Sequence, residues 1–507
     1  MKRLTTLFVL AILATTAGFA KSKHKDLSGV IAVKGELTQK YGQSPAGTPV
    51  TIRRVVKMHG PNEKGKEIFY AVEVNGIQET IPSEEMNLIA LSTPQTDREF
   101  WQQIYLKYHL YEHFYNYNYR HKLRQEIDEE CRDYLEKLNE IAYQDDYMTS
   151  YVQGVFSKLN AITIDSNRKE NLNIRLIQSP EPDAFMLPNG SMVISTGLLC
   201  TLDSEDELAA VIACELGHFV LDHQVYNIHR AERRAKRAAF WAEVFSATAE
   251  AALDIAHWDN DDDAYAVSLV ANIGTIASLL SIPATDRLGM KYKAPQEISA
   301  DRIARELLEF KGYNPGGLSS AIHKITGYYQ QRQYNKEIPR YGSIGNLQKR
   351  MAKAGETHNL SARPYLRTTS DIVSFNAAMN YANKHYKETA RLIHKNIDNR
   401  LATDNDYVLL VKAEMALSNT KEVNSHCLAL LDKAQELAGT SPNLDIYKQR
   451  TLLLMRMNKQ AQAADILKEY LTLLSSYKGQ DIEGEEKEWT NKEMSWAKQM
   501  LDKISRI

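Results

Sequence analysis

Residues 207–223 read ELAAVIACELGHFVLDH, and the rest of the chain is organised around this stretch. In an α-helix, side chains four residues apart lie one above the other, so Cys214 and His218 would share a face. Another side of the same helix would be apolar and would pack into a core, with Leu208, Ile212, Leu216 and Phe219. The stretch therefore predicts a buried helix that presents two side chains able to bind a metal ion.

Glu215 adds a carboxylate next to Cys214. Residues 214–218 therefore match the HExxH motif of zinc peptidases, except that a cysteine replaces the first histidine. A cysteine thiolate is a competent zinc ligand. A lone cysteine is, however, more often a small apolar residue of the core. The motif by itself predicts a metal site and leaves both roles of Cys214 open.

The composition narrows the class of protein. The chain has 507 residues, with 62 Lys and Arg against 64 Asp and Glu, and its formal net charge is −2. A chain of this length is expected to form about two to four domains. Nucleic-acid-binding domains carry an excess of basic residues, which this composition lacks. We therefore expect no nucleic acid among the partners.

Residues 1–20 have the pattern of a secretory signal peptide. Lys2 and Arg3 precede an apolar run, and small residues follow at Gly18 and Ala20. We expect cleavage after Ala20 and export to the bacterial periplasm or the periplasmic face of the envelope. Disulfides are permitted there. The sequence does not give the pairing of its four cysteines, Cys131, Cys200, Cys214 and Cys427.

Residues 27–92 predict a small β-barrel-like module of the SH3-like kind. Short stretches rich in β-branched residues alternate with turns, and Asn75-Gly76 is a strong hairpin signal. Binding of peptides or cell wall is one interpretation of this module. Packing against the rest of the protein is the other, and the sequence does not choose between them.

Residues 97–142 predict a long helical linker that is rich in aromatic side chains. An aromatic stripe at helical spacing usually forms packing surface. The linker also contains His109 and His113, which formally match the inverted zinc motif HxxEH. Two histidines one turn apart also arise by chance, and nothing around them supports a metal site.

Two apolar segments follow the central stretch, at residues 238–256 and 265–282. The second approaches the length of a membrane span but contains several polar residues. We expect a buried or lid-forming hairpin, with any membrane association peripheral. Residues 371–507 predict helical hairpins close to the tetratricopeptide period, a repeat that usually presents a surface to a protein partner. A helical cap on the core is the alternative.

Three segments, in this order, resemble peptidase family M48, the gluzincins that include HtpX-like and BepA-like proteases. They are residues 182–199, residues 207–223, and Glu297–Asp301 followed by Gly312-Tyr-Asn-Pro315. The resemblance implies an α+β protein that is mainly helical. Its zincin-type metalloprotease core would occupy residues 143–355, between the small N-terminal β module and the C-terminal α-helical repeat region.

The resemblance also implies a set of site residues. Cys214, His218 and Glu297 would bind one Zn²⁺ per chain. Glu215 would be the general base that activates a zinc-bound water. Asp301, one turn after Glu297, would orient a ligand histidine. His223 also matches a family histidine, but it does not share the metal face, and we interpret it as structural.

The chain departs from the family pattern at two places beside the site. A thiolate at Cys214 together with the Glu297 carboxylate would cancel the double charge of zinc and make it a weaker Lewis acid. The family usually has a His-Pro pair ahead of an arginine, and Tyr341-Gly342 replaces it here. Tyr341 could still donate a hydrogen bond to an oxyanion, so we predict a catalytic role for it.

Two hypotheses follow. The first is a periplasmic zinc metalloendopeptidase for unfolded or misassembled envelope proteins, with a role in protein quality control and a protein partner on the helical repeats. The second is a weak or inactive relative that serves as a chaperone or adaptor. It would bind extended polypeptides through an edge strand near residues 191–196.

Overall fold

The fold was taken from a computed structural model. It describes residues 25–28, 31–59, 66–111, 117–159, 173–231, 276–277, 279–281, 288–332, 338, 340–341, 343–355, 360, 362–440, 442–478 and 484–505. The predicted signal peptide and most of the predicted apolar hairpin of residues 238–282 lie outside these ranges.

The N-terminal region is an antiparallel sheet. Its strands are β1 (Lys25–Asp26), β2 (Val33–Leu37), β3 (Pro49–His59), β4 (Lys66–Val74), β5 (Ile77–Pro82) and β6 (Ile89–Leu91). The order is β5-β4-β3-β2-β6, and β1 pairs with β3. Asn75 and Gly76 have φ values of 52° and 79°, as a two-residue turn between twisted strands requires. The predicted strands and hairpin are confirmed, whereas the SH3-like arrangement stays a prediction.

The long helix predicted for residues 97–142 is interrupted. Helix α1 (Asp97–Lys107) ends at Tyr108, and α2 (Tyr117–Leu138) begins after a break. His109 has a φ of 53°, in the left-handed region that ends a helix. The second histidine of the HxxEH pattern, His113, lies outside the described residues. The aromatic side chains of α1 pack as predicted, with Phe100 stacked on Phe310 at 4.7 Å between ring centroids.

A second sheet lies beside the central helix. Strands β7 (Ile174–Ile177), β8 (Ala184–Met186) and β9 (Met192–Ser195) are arranged in the order β7-β9-β8. Strand β9 is parallel to β7 and antiparallel to β8. The edge strand predicted near residues 191–196 is therefore wrong, because β9 is paired on both sides. The edge next to the central helix is β8, whose three residues are too few to give a recognisable alternation.

The remaining core helices are the following: α3 (Asp146–Leu159), α4 (Thr196–Thr201), α5 (Glu205–Val220), α6 (His223–Ala231), α7 (Ala294–Lys311), α8 (Gly316–Gln331) and α9 (Ile344–Ala354). The predicted central helix is α5, and Ser204 caps it by accepting a hydrogen bond from the amide of Glu207 at 3.2 Å. Helix α7 ends at Gly312, whose φ of 76° suits a glycine.

The close approach of α5 and α7 depends on Gly217. A Cβ atom at this position would lie 3.0 Å from the carbonyl oxygen of Ala300 and 3.1 Å from its Cα. Only glycine leaves room for the two backbones to approach in this way. The absence of a side chain at position 217 thus brings the polar face of α5 next to residues of α7.

The loop before α5 is fixed by lysines from two other helices. Lys324 Nζ lies 2.6 Å from Asp203 Oδ2 and 2.6 Å from Oε1 of the fully buried Glu207. Lys395 lies 2.7 Å from the other oxygen of Asp203. Removing one member of a buried ion pair is strongly destabilising, so these contacts hold the start of α5 in place.

The C-terminal region is helical throughout the part described. It consists of α10 (Arg363–Ala382), α11 (Tyr386–Asp398), α12 (Asp404–Leu417), α13 (Lys421–Ala438), α14 (Leu444–Arg456), α15 (Gln460–Lys478) and α16 (Glu485–Ser505). Tyr365 of α10 donates to the carbonyl of Leu199 at 3.0 Å, which joins this region to the core. The helical hairpins are confirmed, and their assignment to the tetratricopeptide class stays a prediction.

Two general predictions can be compared with the structure. All four cysteines are buried and free. In the described ranges, no single helix is long and apolar enough to cross a membrane, although the bent pair Glu205–Val220 and His223–Arg230 reaches the required length and composition.

Candidate metal centre

The three predicted metal ligands converge. Cys214 and His218 project from α5 and Glu297 from the first turn of α7, and one ligand atom from each lies within 4.8 Å of the others. Zinc binds sulfur at about 2.3 Å and nitrogen or oxygen at about 2.0–2.2 Å, so its ligands lie within roughly 4.5 Å of one another. Only a small adjustment of side chains would let these three atoms share one ion.

His218 is oriented for this role by a second histidine. Its Nδ1 lies 3.0 Å from Nδ1 of His223, and only one hydrogen can lie between the two atoms. Its Nε2 is buried, faces Oε2 of Glu297 at 3.4 Å, and has no hydrogen-bond partner among the described residues. If Nδ1 carries the shared hydrogen, Nε2 presents its lone pair, as a metal ligand must. The structural role predicted for His223 is thus to orient His218.

Asp301 contacts the cysteine rather than the histidine. Its Oδ1 accepts from the thiol of Cys214 at 3.3 Å. Its carboxylate also forms two hydrogen bonds with Arg350, at 2.6 and 3.1 Å. Orientation of a ligand histidine by Asp301, as the resemblance implied, is not seen in the described structure. The physical reason is that a thiol and a guanidinium, both donors, lie closer to the carboxylate.

Arg350 contacts two of the three candidate ligands. Its Nη1 lies 2.9 Å from Oε2 of Glu297, and its Nη2 lies 2.9 Å from Sγ of Cys214. Burial would raise the pKa of Glu297, but the guanidinium of Arg350, followed by His218, outweighs burial and lowers it to about 2. Burial raises the pKa of Cys214 well above its ordinary value, and Arg350 opposes this shift.

Glu215, the predicted general base, is held by a buried arginine. Arg340 Nη2 donates to Oε1 of Glu215 at 2.9 Å, and Arg340 Nε lies 3.0 Å from Oδ1 of Asp183. All three side chains are less than a tenth exposed. Burial raises the pKa of Asp183 to about 7, against the opposing effect of Arg340. Oε2 of Glu215 is buried and has no hydrogen-bond partner in the described ranges.

Two tyrosines complete the surroundings. The ring of Tyr292 stacks on His218 with 3.6 Å between centroids, and its buried hydroxyl has no hydrogen-bond partner within the described structure. Tyr341 is also buried. Its ring lies 5.2 Å from the guanidinium of Arg340 and 6.0 Å from the ring of Tyr329. Tyr341 thus lies beside the site, and its catalytic role stays a prediction.

The charge balance fits a divalent cation. Among the described residues, four buried or nearly buried carboxyl groups meet two guanidinium groups here. The acids are Asp183, Glu215, Glu297 and Asp301, and the bases are Arg340 and Arg350. Even when Asp183, whose pKa is about 7, is protonated, three carboxylates face two guanidinium groups. A buried excess of negative charge is costly unless a cation neutralises it. The donor set, its geometry and its charge therefore fit a zinc ion.

Sequence reasoning missed several residues of this site. Tyr292 and Arg350 stand within segments that the family resemblance already covered, so their position relative to the motifs could have identified them. Asp183 immediately precedes β8 and lies in the segment 182–199 that carried the resemblance, but no catalytic or metal motif marked it. Arg340 gave no signal, because its contact with Glu215 joins residues 125 positions apart.

Comparisons with known proteins give a family match that spans these residues. Residues 149–392 match the model of Peptidase family M48. Mitochondrial metalloendopeptidase OMA1 of Schizosaccharomyces pombe is 38% identical over 80 residues, which are 16% of this chain and 23% of the relative. The Beta-barrel assembly-enhancing protease of Escherichia coli K12 is 22% identical over 196 residues, 38% of this chain and 35% of the relative. Metalloprotease LoiP of the same organism is 23% identical over 190 residues, 36% of this chain and 63% of the relative.

The chain spans less than two thirds of the length of each of these relatives. The family match includes the three converging residues, the sheet of β7, β8 and β9, and the helices up to most of α11. Residues 149–392 therefore form a Peptidase family M48 domain, which carries the candidate metal centre.

Proposed function

We propose that the chain is a zinc-dependent metalloendopeptidase. The observation that carries this proposal is the convergence of Cys214, His218 and Glu297 within 4.8 Å, with Glu215 adjacent on the same helix. The two donor helices are held together by the close contact at Gly217. The names of the relatives, which are a metalloendopeptidase, a protease and a metalloprotease, support the same activity.

Cys214, His218 and Glu297 would hold the zinc ion, which when bound would supply Lewis-acid chemistry for hydrolysis of a peptide bond. The side chains of the protein have separate tasks. His223 fixes the ring of His218, and the pair Asp301–Arg350 fixes Cys214 and Glu297. Glu215 has one oxygen on Arg340 and the other unpartnered. The unpartnered Oε2 is the atom that would accept a proton from the attacking water.

The substrate would be an extended polypeptide that lies along β8. Asp183 and Leu187 form hydrogen bonds with the β9 side, so the backbone groups of Ala184 and Met186 face the other edge of β8. Both residues are buried there, so a substrate strand would first have to displace the groups that cover this edge. Such an edge pairs with an added strand through backbone hydrogen bonds. Gln224 Nε2 already donates to the carbonyl of Met186 at 2.7 Å. A bound strand would therefore displace Gln224 or pair mainly at Ala184.

The biological setting is part of the same proposal. The signal-peptide pattern of residues 1–20 supports export to the periplasm, and the name Beta-barrel assembly-enhancing protease supports a role with envelope proteins. Unfolded or misassembled envelope proteins would then be the substrates, as part of protein quality control. The helices of residues 371–507 would offer a surface to a protein partner, with any membrane association peripheral.

One observation favours a second candidate, a weak or inactive relative that acts as a chaperone or adaptor. Arg350 already places its guanidinium against Cys214 and Glu297, so two of the three ligand side chains have a cationic partner. If Arg350 keeps this position, it competes with a metal ion for the same atoms. The domain would then still bind an extended chain at β8 without cleaving it.

Zinc content and cleavage together decide between these candidates. We would measure zinc per chain on protein purified under reducing conditions, for the wild type, Glu297→Gln and the control Glu309→Gln. Glu309 is an exposed residue of the same helix. Cleavage of casein would be followed for the wild type and Glu215→Gln.

About one zinc per chain is expected for the wild type and the control, because a catalytic site of this family type holds one ion. The ion should be lost in Glu297→Gln, and cleavage should be lost in Glu215→Gln with zinc retained. A wild type without zinc and without cleavage would exclude the peptidase and leave the adaptor.

A further inference from the structure

Several buried polar atoms without a hydrogen-bond partner in the described structure fall in this one site. Three of them, Asp183 Oδ1, Arg340 Nε and Glu297 Oε2, still lie within 3.0 Å of an oppositely charged atom. The four without such a close ion-pair contact are Glu215 Oε2, His218 Nε2, Tyr292 Oη and Arg340 Nη1. Buried polar groups in proteins are nearly always paired, so each exception needs an explanation. Their concentration around Glu215 is explained if a ligand supplies the missing partners when it binds.

The proposed peptidase explains only half of these four atoms. His218 Nε2 would bind the metal ion, and Glu215 Oε2 would accept a proton. The other two are Arg340 Nη1, which can only donate, and the hydroxyl of Tyr292, which can donate as well as accept. Arg340 Nη1 requires an acceptor, and a zinc ion cannot provide one. The carbonyl oxygen of a substrate can accept from both groups.

The guanidinium of Arg340 is fixed along two of its edges. Nη2 donates to Glu215 Oε1 at 2.9 Å, and Nε lies 3.0 Å from Asp183 Oδ1. A guanidinium is planar, so these two contacts also fix the direction of Nη1. The backbone of Arg340 has a φ of 64°, a conformation that persists only where the surroundings enforce it. The free donor is therefore preorganised.

The anchor of Arg340 also lies next to the proposed substrate. Asp183 immediately precedes β8, along whose edge an extended chain would bind. Glu215, the other anchor, would activate the water that attacks that chain. The guanidinium of Arg340 therefore lies between the residue that precedes this strand and the group that would start the reaction, and Nη1 is its one nitrogen held by neither.

We propose that Arg340 is a catalytic residue whose Nη1 donates a hydrogen bond to the oxygen of the scissile carbonyl as that oxygen becomes negative. Tyr292 Oη is the second donor. This inference rests on the proposed peptidase function and deepens it. It replaces the role predicted for Tyr341, whose buried ring packs beside the guanidinium and supports it.

The chemical step is balanced by groups on the protein. The oxygen of water forms a bond to the carbonyl carbon while Glu215 Oε2 takes its proton. The electron pair of the C=O π bond moves onto the carbonyl oxygen, where Arg340 and Tyr292 stabilise it. The pair then returns, the C–N bond breaks, and the leaving nitrogen takes the proton from Glu215.

The test uses the full-length zinc-loaded protein and three variants. Arg340→Gln removes both the positive charge and the planar guanidinium group. Arg340→Lys keeps the positive charge but removes the guanidinium group. Tyr292→Phe removes one hydroxyl and keeps the ring stacked on His218. Arg450→Gln is the matched control, since Arg450 forms an ion pair with Asp432 in the C-terminal helices. Far-ultraviolet circular dichroism and zinc content would establish that each variant is folded and loaded.

We would measure kcat and KM on a peptide substrate, together with calorimetric binding of a phosphinic peptide whose tetrahedral oxygens imitate the oxyanion. Removal of one such donor in other enzymes lowers kcat by about 10²–10³. We expect that loss in Arg340→Gln with KM within about threefold of the wild type, because the contact forms mainly in the transition state. Binding of the phosphinic peptide should weaken in parallel. Arg340→Lys should recover part of kcat, and Tyr292→Phe should lose about tenfold.

The possible outcomes distinguish a failure of this inference from a failure of the proposed peptidase function. A wild type that binds zinc and cleaves peptide, with Arg340→Gln and Tyr292→Phe equally active, would overturn the inference alone. A more active Arg340→Gln would also overturn it and identify the arginine as an inhibitor of Glu215. Arg340→Gln is not needed if it fails to fold, because the other two variants test the same contact. If Arg340→Lys and Tyr292→Phe both keep the kcat and the phosphinic peptide binding of the wild type, the inference is overturned. A wild type without zinc or cleavage would instead remove the peptidase function.

Discussion

Helix α5 and the segment of residues 338–350 contribute to one site in opposite ways. Helix α5 supplies Cys214, Glu215 and His218 at a spacing that the helix itself dictates. The segment supplies Arg340 and Arg350, whose contacts with Glu215 and Cys214 arise only in the folded protein. The first region provides acceptors and ligands, and the second provides the positive charge that holds them. The balance between the two decides whether a metal ion can enter.

Arg350→Gln should have the largest effect on stability, because it removes one of the two positive charges that the segment of residues 338–350 supplies to the site. Glu297 and Asp301 would lose their buried cationic partner. Removing one member of a buried ion pair costs about 3–5 kcal/mol of unfolding free energy. Urea unfolding of the metal-free protein would measure this loss.

The matched control is Arg391→Gln. Arg391 forms a partly exposed pair with Glu388 in the same helix, and such pairs contribute about 0–1 kcal/mol. Equal losses in the two variants would contradict the view that Arg350 balances the buried acids. Added zinc should restore stability to Arg350→Gln more than to the wild type, since the ion would replace the missing charge.

The same contrast explains which features the sequence could predict. The spacing of Cys214 and His218 depends on helix geometry, and the strands around Asn75-Gly76 depend on local turn chemistry, so both were predictable. Glu297 came from the resemblance to a family motif. The central position of β9 and the role of Arg340 were not predictable, because they depend on pairing and ion contacts between segments distant in sequence.

The end of α1 shows another limit of prediction from the sequence. Residues 97–142 have helical spacing almost throughout, but His109 adopts a left-handed conformation. Histidine is tolerated there, and no glycine or proline marks the position. The local pattern predicted a helix that continues through residue 109, whereas the described structure ends α1 before it.

Gly217→Ala tests the other side of the comparison, the approach of the two donor helices. A Cβ atom at this position would meet the backbone of Ala300 at 3.0 Å, so α5 and α7 would have to move apart. Overpacking of this kind costs about 1–3 kcal/mol. Zinc affinity should fall as well, because Glu297 lies on α7 and its two partners on α5. Isothermal titration and urea unfolding would measure the two effects.

Gly327→Ala is the control for this substitution. Gly327 lies inside helix α8, and a Cβ atom there would meet nothing within 4 Å. Alanine should stabilise this helix by about 0.5–1 kcal/mol. If Gly217→Ala behaves in the same way and keeps its zinc affinity, the close approach of α5 and α7 is not what assembles the site.

Cys214→His restores the residue of the family motif and should raise kcat by about tenfold, or roughly 1.4 kcal/mol in the barrier. A neutral imidazole adds no negative charge, so the zinc ion remains a stronger Lewis acid than with a thiolate. The substitution also removes the sulfur that Arg350 contacts. Peptide cleavage at equal zinc loading would be compared with Cys200→Ser, a buried cysteine outside the site. An inactive, zinc-loaded Cys214→His protein would favour the adaptor.

The smallest expected effect is the pH dependence that Asp183 contributes. Its pKa is about 7 in the folded protein against an ordinary 3.8, because burial outweighs Arg340. Between these values the folded state binds a proton that the unfolded state has released, so the free energy of unfolding should fall as pH rises from about 4 to about 7. Asp183→Asn cannot release a proton and should lack this part of the slope.

Urea unfolding at several pH values would measure both slopes, with Asp502→Asn, at an exposed position of α16, as the control. A wild type whose stability instead rises over this interval, relative to Asp183→Asn, would mean that Arg340 dominates and keeps Asp183 ionised. Arg340 would then be shared equally between two carboxylates. The ion pair between Arg340 and Glu215 would then be weaker. The segment of residues 338–350 would constrain helix α5 less than the contact distances indicate.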